Sequence, residues 1–168
     1  MECVEYFAIG SMMNPISLRM RGLNPVKSRP GILRDYELIF VMTNGMAAAR
    51  KFDETKHNDR KCIHGVLHRV SRPEMDILSK SESTYVIEKN VTIETYKRKY
   101  EQIETDDKKN EEKSSYKDDE EKVSAVVYVL NNEIVKTDPE RFSENPPGER
   151  YIDILKGGAE YYGLDVSF

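Results

Sequence analysis

The sequence predicts an α+β fold, a mixed sheet or small β-barrel flanked by short helices and closed by a longer C-terminal helix. Three observations carry that expectation. Short runs rich in β-branched and aromatic residues recur along the chain, separated by Gly, Pro and Asn turn signals, as strands are. The helical stretches between them are short and unevenly placed, which argues against a doubly wound parallel sheet. The clearest helical periodicity falls near the end, where Tyr151, Leu155, Ala159 and Tyr162 share one face and Gly163 follows as a C-terminal stop.

The elements read in order as follows. Cys3 to Ile9 (CVEYFAI) is a mostly buried strand with Glu5 its only polar residue. It stops at Gly10-Ser11, and Asn14-Pro15 opens a short helix: Asn is a good N-cap, and Pro suits the first helical position. Gly22 ends that helix, and Asn24-Pro25 and Arg29-Pro30-Gly31 mark a loop. Ile32 to Thr43 has strand composition and runs into the turn signal Asn44-Gly45. Met46 to Phe52 fits a helix by propensity and a short strand by its place after Asn-Gly, and Lys51 to Lys61 is a polar loop. Cys62 to Val70 reads as a strand, Ser71 to Leu78 as a short helix with Pro73 early in it, Tyr85 to Tyr96 as an alternating strand. Val123 to Leu130 (VSAVVYVL) is the clearest strand, ending at Asn131-Asn132.

At 168 residues the chain fits one domain, 1–168, with a highly charged insertion at 97–122. The positive and negative residues of that insertion nearly cancel, so it reads as a solvated extension between two strands, with no field to steer a partner. A net charge of -4 disfavours nucleic acid and anionic membrane as partners. Two cysteines, Cys3 and Cys62, no secretory h-region and no apolar run long enough to span a bilayer point to a reduced, soluble, cytoplasmic protein.

Two places invite chemistry. Cys62, His64 and His68 would share one face of a strand, but no second Cys/His cluster accompanies them, so a buried strand face is the better reading and no metal is expected. The strand–Gly10-Ser11–helix element is more specific. Glycine lets backbone approach a ligand closely, and the N–H groups entering a helix favour negative charge. It needs a reactive partner, and Glu82, at a helix–strand junction among Ser81, Ser83 and Thr84, is the candidate.

Taken together these stretches resemble the γ-glutamylcyclotransferase-like family. Phe7-Ala8-Ile9-Gly10-Ser11-Met12-Met13 stands where that family has F-A-Y-G-S-N-M, and Gly31 to Phe40 (GILRDYELIF) is similar to its G-x-L-x-x-Y-x-L-x-F strand. Gly45-Met46-Ala47 and Ile63-His64-Gly65-Val66-Leu67 are similar to further family strands. Leu78-Ser79-Lys80-Ser81-Glu82-Ser83 has the spacing of its L-D-x-x-E-G glutamate motif. Pro147 to Tyr151 and Gly158 to Leu164 resemble its last helix, so the likeness covers nearly all the chain except the insertion. Ile9, Met12, Ser79 and Ser83 depart from the motifs' Tyr, Asn, Asp and Gly.

The resemblance implies a γ-glutamyl cyclotransferase. The substrate's own α-amine attacks its γ-carbonyl, closing to 5-oxoproline and expelling an amine, as in glutathione metabolism. Glu82 would be the general acid/base; Ile9, Gly10, Ser11, Met12, Tyr85 and Tyr151 would bind substrate. No cofactor is implied, the partner is a small γ-glutamyl compound, and a homodimer is compatible with the pattern. Two rivals come from other classes: a catalytically silent member that binds an acidic γ-glutamyl-type metabolite, and a scaffold acting through the charged insertion.

Overall fold

A computed structural model of the chain describes residues 1–52, 61–82, 86–95 and 121–164. The strands are β1 (Cys3–Ala8), β2 (Lys27–Arg34), β3 (Tyr36–Val41), β4 (Met46–Lys51), β5 (Cys62–Ser71), β6 (Val86–Thr95) and β7 (Lys122–Leu130). Helices α1 (Pro15–Met20), α2 (Arg72–Ser81), α3 (Asn132–Thr137) and α4 (Glu149–Tyr162) surround them. The strands form one sheet in the order β1-β5-β2-β6-β7-β4-β3, and β1 also pairs with β7. That extra pairing, parallel at Tyr6 and Val126, closes β1, β5, β2, β6 and β7 into a mixed barrel. The β3–β4 hairpin hangs on its rim through a parallel pairing of Ala49 with Val129. This is the mixed barrel with flanking helices and a C-terminal helix that the sequence predicts.

Alternation along the strands sorts most of the core into two layers, and a third cluster of Ile39, Val41, Ala48, Leu130 and Phe142 involves the β3–β4 hairpin. Phe7 on β1 and Ile9 just after it join Leu33, Ile63, Leu67, Ile93 and Val127 in one cluster. Tyr6 and Ala8 face the other way, joining Val66, Val70 and Val126 with Leu18, Met75, Leu78 and Leu155 from the helices. Phe7 is 1% exposed, and its ring occupies space left by two cross-strand partners, Gly31 and Gly65. A Cβ on Gly31 would lie 3.2 Å from Phe7 Cε2, and one on Gly65 only 2.6 Å from Phe7 Cζ. Burying such side chains is worth about 1.5–3 kcal/mol apiece, so the barrel wall is glycine where the aromatic needs room.

Three expectations change. The single strand over Ile32 to Thr43 is two strands, because Asp35 takes a left-handed conformation (φ 64°) that turns the chain between β2 and β3. Asp is among the few non-glycine residues that tolerate it. Arg29-Pro30-Gly31 lies inside β2 and is not a loop: Pro30 pairs with Val66 of β5, while β6 joins on the other side only from Gly31 onward. Proline is accepted in a strand where its missing N–H meets no neighbour. Met46 to Phe52 resolves as strand β4, and α3 follows Asn131-Asn132 where the sequence showed only a turn. Residues 53–60 of the polar loop and 97–120 of the charged insertion lie outside the described residues, as does Tyr96 at the end of the predicted strand, though β6 and β7 on either side of the insertion are antiparallel neighbours. No helix among the described residues is long and apolar enough to cross a membrane.

Candidate active site

The site is built where β1 runs out. After Ala8 the chain makes a single 3₁₀ turn, Ser11–Met13, with Met13 N–H donating to the Gly10 carbonyl and Asn14 N–H to that of Ser11, each at 3.0 Å. Asn14 then caps α1, its side-chain oxygen accepting from Ile16 N–H at 2.9 Å with Pro15 in the first turn, as predicted. The first N–H groups of such a turn have no partner within it. Among the described residues no hydrogen bond uses the N–H of Gly10, Ser11 or Met12. They are available to an anion or a carbonyl oxygen.

One side chain ties this turn in place and a second packs beside it. His68 on β5 is fully buried, with Nε2 2.9 Å from the Met12 carbonyl and Nδ1 2.7 Å from Ser28 Oγ. A carbonyl only accepts, so Nε2 carries the proton and Nδ1 accepts from Ser28. Burial then lowers the imidazole pKa to about 4, against a smaller opposing effect of the Met12 hydrogen bond. Tyr151 on α4 brings its hydroxyl to the other side, where it accepts from Ala47 N–H at 3.3 Å. A Cβ on Gly10 would lie 3.1 Å from that oxygen, so the glycine is what lets the hydroxyl come close.

Glu82 approaches from the opposite wall. Its helix, α2, starts with a capping box: Ser71 Oγ accepts from Glu74 N–H, and the Glu74 carboxylate accepts from Ser71 N–H at 2.8 Å. Glu82 is the residue that ends the helix, with N–H to the Leu78 carbonyl at 3.2 Å and an extended backbone. Desolvation raises its carboxyl pKa, opposed by the nearby Arg21 guanidinium, and the carbonyl end of α2 also disfavours a negative charge there. Among the described residues no hydrogen bond reaches its carboxylate.

Turn and carboxylate line one cavity of about 150 Å³. It holds Ile9, Gly10, Ser11, Met12, Tyr151 and Glu82, all of which the sequence marked as site residues. Tyr85, also marked, lies outside the described residues. Among the other residues lining the cavity, Tyr6, Tyr128 and Arg21 carry groups able to act on a ligand that sequence reasoning missed. The Tyr6 and Tyr128 rings meet edge-on at 6.0 Å, Tyr128 Oη is 2.7 Å from Ser79 Oγ, and Arg21 Nη1 donates to Ser81 Oγ at 2.8 Å. Burial, followed by the charge of Glu82, pushes the Tyr6 hydroxyl pKa far up; burial also raises that of Tyr128, so both remain protonated donors. The available signal was a tyrosine hydroxyl within a largely apolar strand, CVEYFA in β1 and KVSAVVYVL in β7.

The arrangement suits proton transfer beside a developing negative charge. A carboxyl whose pKa is raised by burial is a stronger proton acceptor than an ordinary carboxylate, and backbone N–H groups unpaired among the described residues can hold an oxyanion. Metal chemistry has no support in Cys62, His64 and His68. Both His68 nitrogens are committed, Cys62 Sγ and His64 Nε2 are 3.8 Å apart, and no cluster of three metal-capable side chains occurs among the described residues.

No protein-family model and no curated protein matches this sequence. Solved structures do match in fold. A γ-glutamyl cyclotransferase superposes with a TM-score of 0.66 at 16% identity, over 98% of this chain and 82% of that one. An uncharacterized protein from Homo sapiens gives 0.67 at 17%, over 99% and 83%. A γ-glutamyl cyclotransferase specific to glutathione, from yeast, gives 0.62 at 11%, over 99% and 90%. The likeness at these identities is one of fold: the barrel and its helices are arranged as in γ-glutamyl cyclotransferases.

Proposed function

We propose that this chain is a γ-glutamyl cyclotransferase with Glu82 as its general acid/base. One observation carries the reading: a carboxyl of raised pKa and a turn with unpaired N–H groups face the same small cavity, on a fold shared with enzymes of that activity. In the reaction the α-ammonium of the γ-glutamyl group gives a proton to the Glu82 carboxylate. The freed nitrogen attacks the γ-carbonyl carbon, and the N–H groups of the Gly10–Met12 turn stabilise the oxyanion. The leaving nitrogen takes that proton back from Glu82 as its bond to carbon breaks. The ring nitrogen, which still carries two protons, gives one to the freed carboxylate, which passes it to water or to the departing amine. The products are 5-oxoproline and an amine.

The cavity's size supports the same reading. Sites for drug-sized ligands run to several hundred Å³; one of about 150 Å³ suits a single amino-acid-sized group such as a glutamyl moiety. A second reading, a binding protein without turnover, is favoured by the apolar side chains of Ile9 and Met12, both buried where the family motif has Tyr and Asn. Incubation with a panel of γ-glutamyl amino acids, dipeptides and amines, assayed for 5-oxoproline, separates them. Release from any member supports the enzyme; ligand-induced thermal stabilisation with no release from all of them supports the binder.

A further inference from the structure

Arg21 is not needed for the chemistry just described, yet it lines the same cavity as Glu82. It follows the last turn of α1, is solvent-exposed, and reaches across to Ser81, the residue before Glu82, through the 2.8 Å bond from Nη1. Among the described residues no carboxylate lies within ion-pair distance of it, and every other lining side chain except Glu82 is neutral. A guanidinium carries five donors in a planar fork that matches a carboxylate, and here one of them is seen in use.

The cavity therefore offers two receptors for negative charge at different depths. The N–H groups of the turn are inner: Met12 is 6% exposed and its carbonyl is tied to a buried histidine. Arg21 is outer, at the rim. The ring-forming half of a γ-glutamyl substrate has to sit beside the turn and Glu82, and it fills a space of about 150 Å³. Its leaving amine must then project toward the rim. We infer that Arg21 reads a carboxylate on the leaving amine, making γ-glutamyl amino acids and peptides with a free α-carboxylate the preferred substrates over simple γ-glutamyl amines. This rests on the cyclotransferase reading above and adds a specificity-determining residue to it.

The test compares γ-glutamyl-alanine with γ-glutamyl-alaninamide, which differ only in that carboxylate, as kcat/KM for 5-oxoproline release by the wild type, Arg21→Gln and Arg21→Lys. The wild type is expected to prefer the acid by ~10–100-fold, the worth of a charge-assisted hydrogen bond. Arg21→Gln should bring the ratio to within about threefold of unity, chiefly by losing activity on the acid, and Arg21→Lys should keep part of the preference. Taking the ratio removes any effect of the lost cation on Glu82, which both substrates share. A wild-type ratio near unity, or a ratio that Arg21→Gln leaves unchanged, overturns the inference while leaving the cyclotransferase intact. No 5-oxoproline from either compound or from any of the wider panel overturns both.

Discussion

His68 Nε2 and the carbonyl oxygen of Met12 are 2.9 Å apart, which ties a fully buried imidazole to the turn that supplies the site's backbone donors. Its neutrality is a condition of the fold. Above pH 6.5, where the unfolded histidine is also neutral, the native state suffers no penalty; as pH falls from there toward about 4 the unfolded chain takes up a proton the native one refuses. Stability should fall across that window by about 3 kcal/mol, the free energy of holding the buried imidazole at about 4 against 6.5 in the unfolded chain. Denaturant melts of the wild type and His68→Gln between pH 7 and 4 check this: the variant starts less stable and loses less of what it has on acidification.

Gly10 and Tyr151 are coupled through space. Gly10→Ala places a Cβ 3.1 Å from the Tyr151 hydroxyl, so the hydroxyl must withdraw and its hydrogen bond from Ala47 N–H is lost. The single variant is expected to lose about 1 kcal/mol of stability, the worth of one such bond. In a Tyr151→Phe background the same Gly10→Ala change should cost less, because the atom it crowds is gone. A double-mutant cycle by thermal melts measures the difference; strict additivity would show the contact to be unimportant.

Gly158 is where α4 meets the turn. A Cβ there would stand 2.8 Å from the Met13 carbonyl carbon and 2.9 Å from Asn14 N, backbone atoms that cannot swing aside. Alanine raises helix propensity, yet Gly158→Ala should destabilise by about 1–3 kcal/mol through overpacking. Its neighbour Gly157 meets only the Asn14 amide, the end of a side chain, at 3.0 Å, so Gly157→Ala is expected to be milder. Comparing the two melting temperatures decides it.

Glu82 should cost the protein stability at neutral pH. Its raised carboxyl pKa means the folded state holds the proton more tightly than the unfolded one, so stability declines as pH rises from about 4.5 through the folded value. Glu82→Gln removes the buried charge and should melt higher than the wild type at pH 7, with the gap closing at pH 4. The acid limb of the activity profile should likewise lie above the ordinary carboxylate range.

Much of this was legible in the sequence, and the reason differs from place to place. Cys3 to Ile9, Cys62 to Val70 and Val123 to Leu130 read correctly because apolar runs between turn residues reflect two-sided burial in a barrel wall. The Asn14-Pro15 cap and the Gly163 stop are local signals with local causes, and Gly163 does adopt φ 64°. Asp35 was hidden because a single left-handed residue between two strand-like halves leaves no mark in composition. Pro30 misled because its tolerance depends on which side of β2 is unpaired, a fact of sheet order. Tyr6, Tyr128 and Arg21 were missed for a related reason: only closure of the barrel brings β1, β7, the end of α1 and the end of α2 to one cavity.

The central claim is that Glu82 moves the proton that cyclisation requires. Its most direct test is 5-oxoproline formation from a γ-glutamyl dipeptide turned over by the wild type, repeated with Glu82→Gln, alongside thermal-shift titration of both proteins with the same compound. The expected result is release by the wild type, a loss of about 10²–10⁴-fold or more in kcat for Glu82→Gln, and undiminished ligand binding by that variant. Equal rates of release by the two proteins would contradict it.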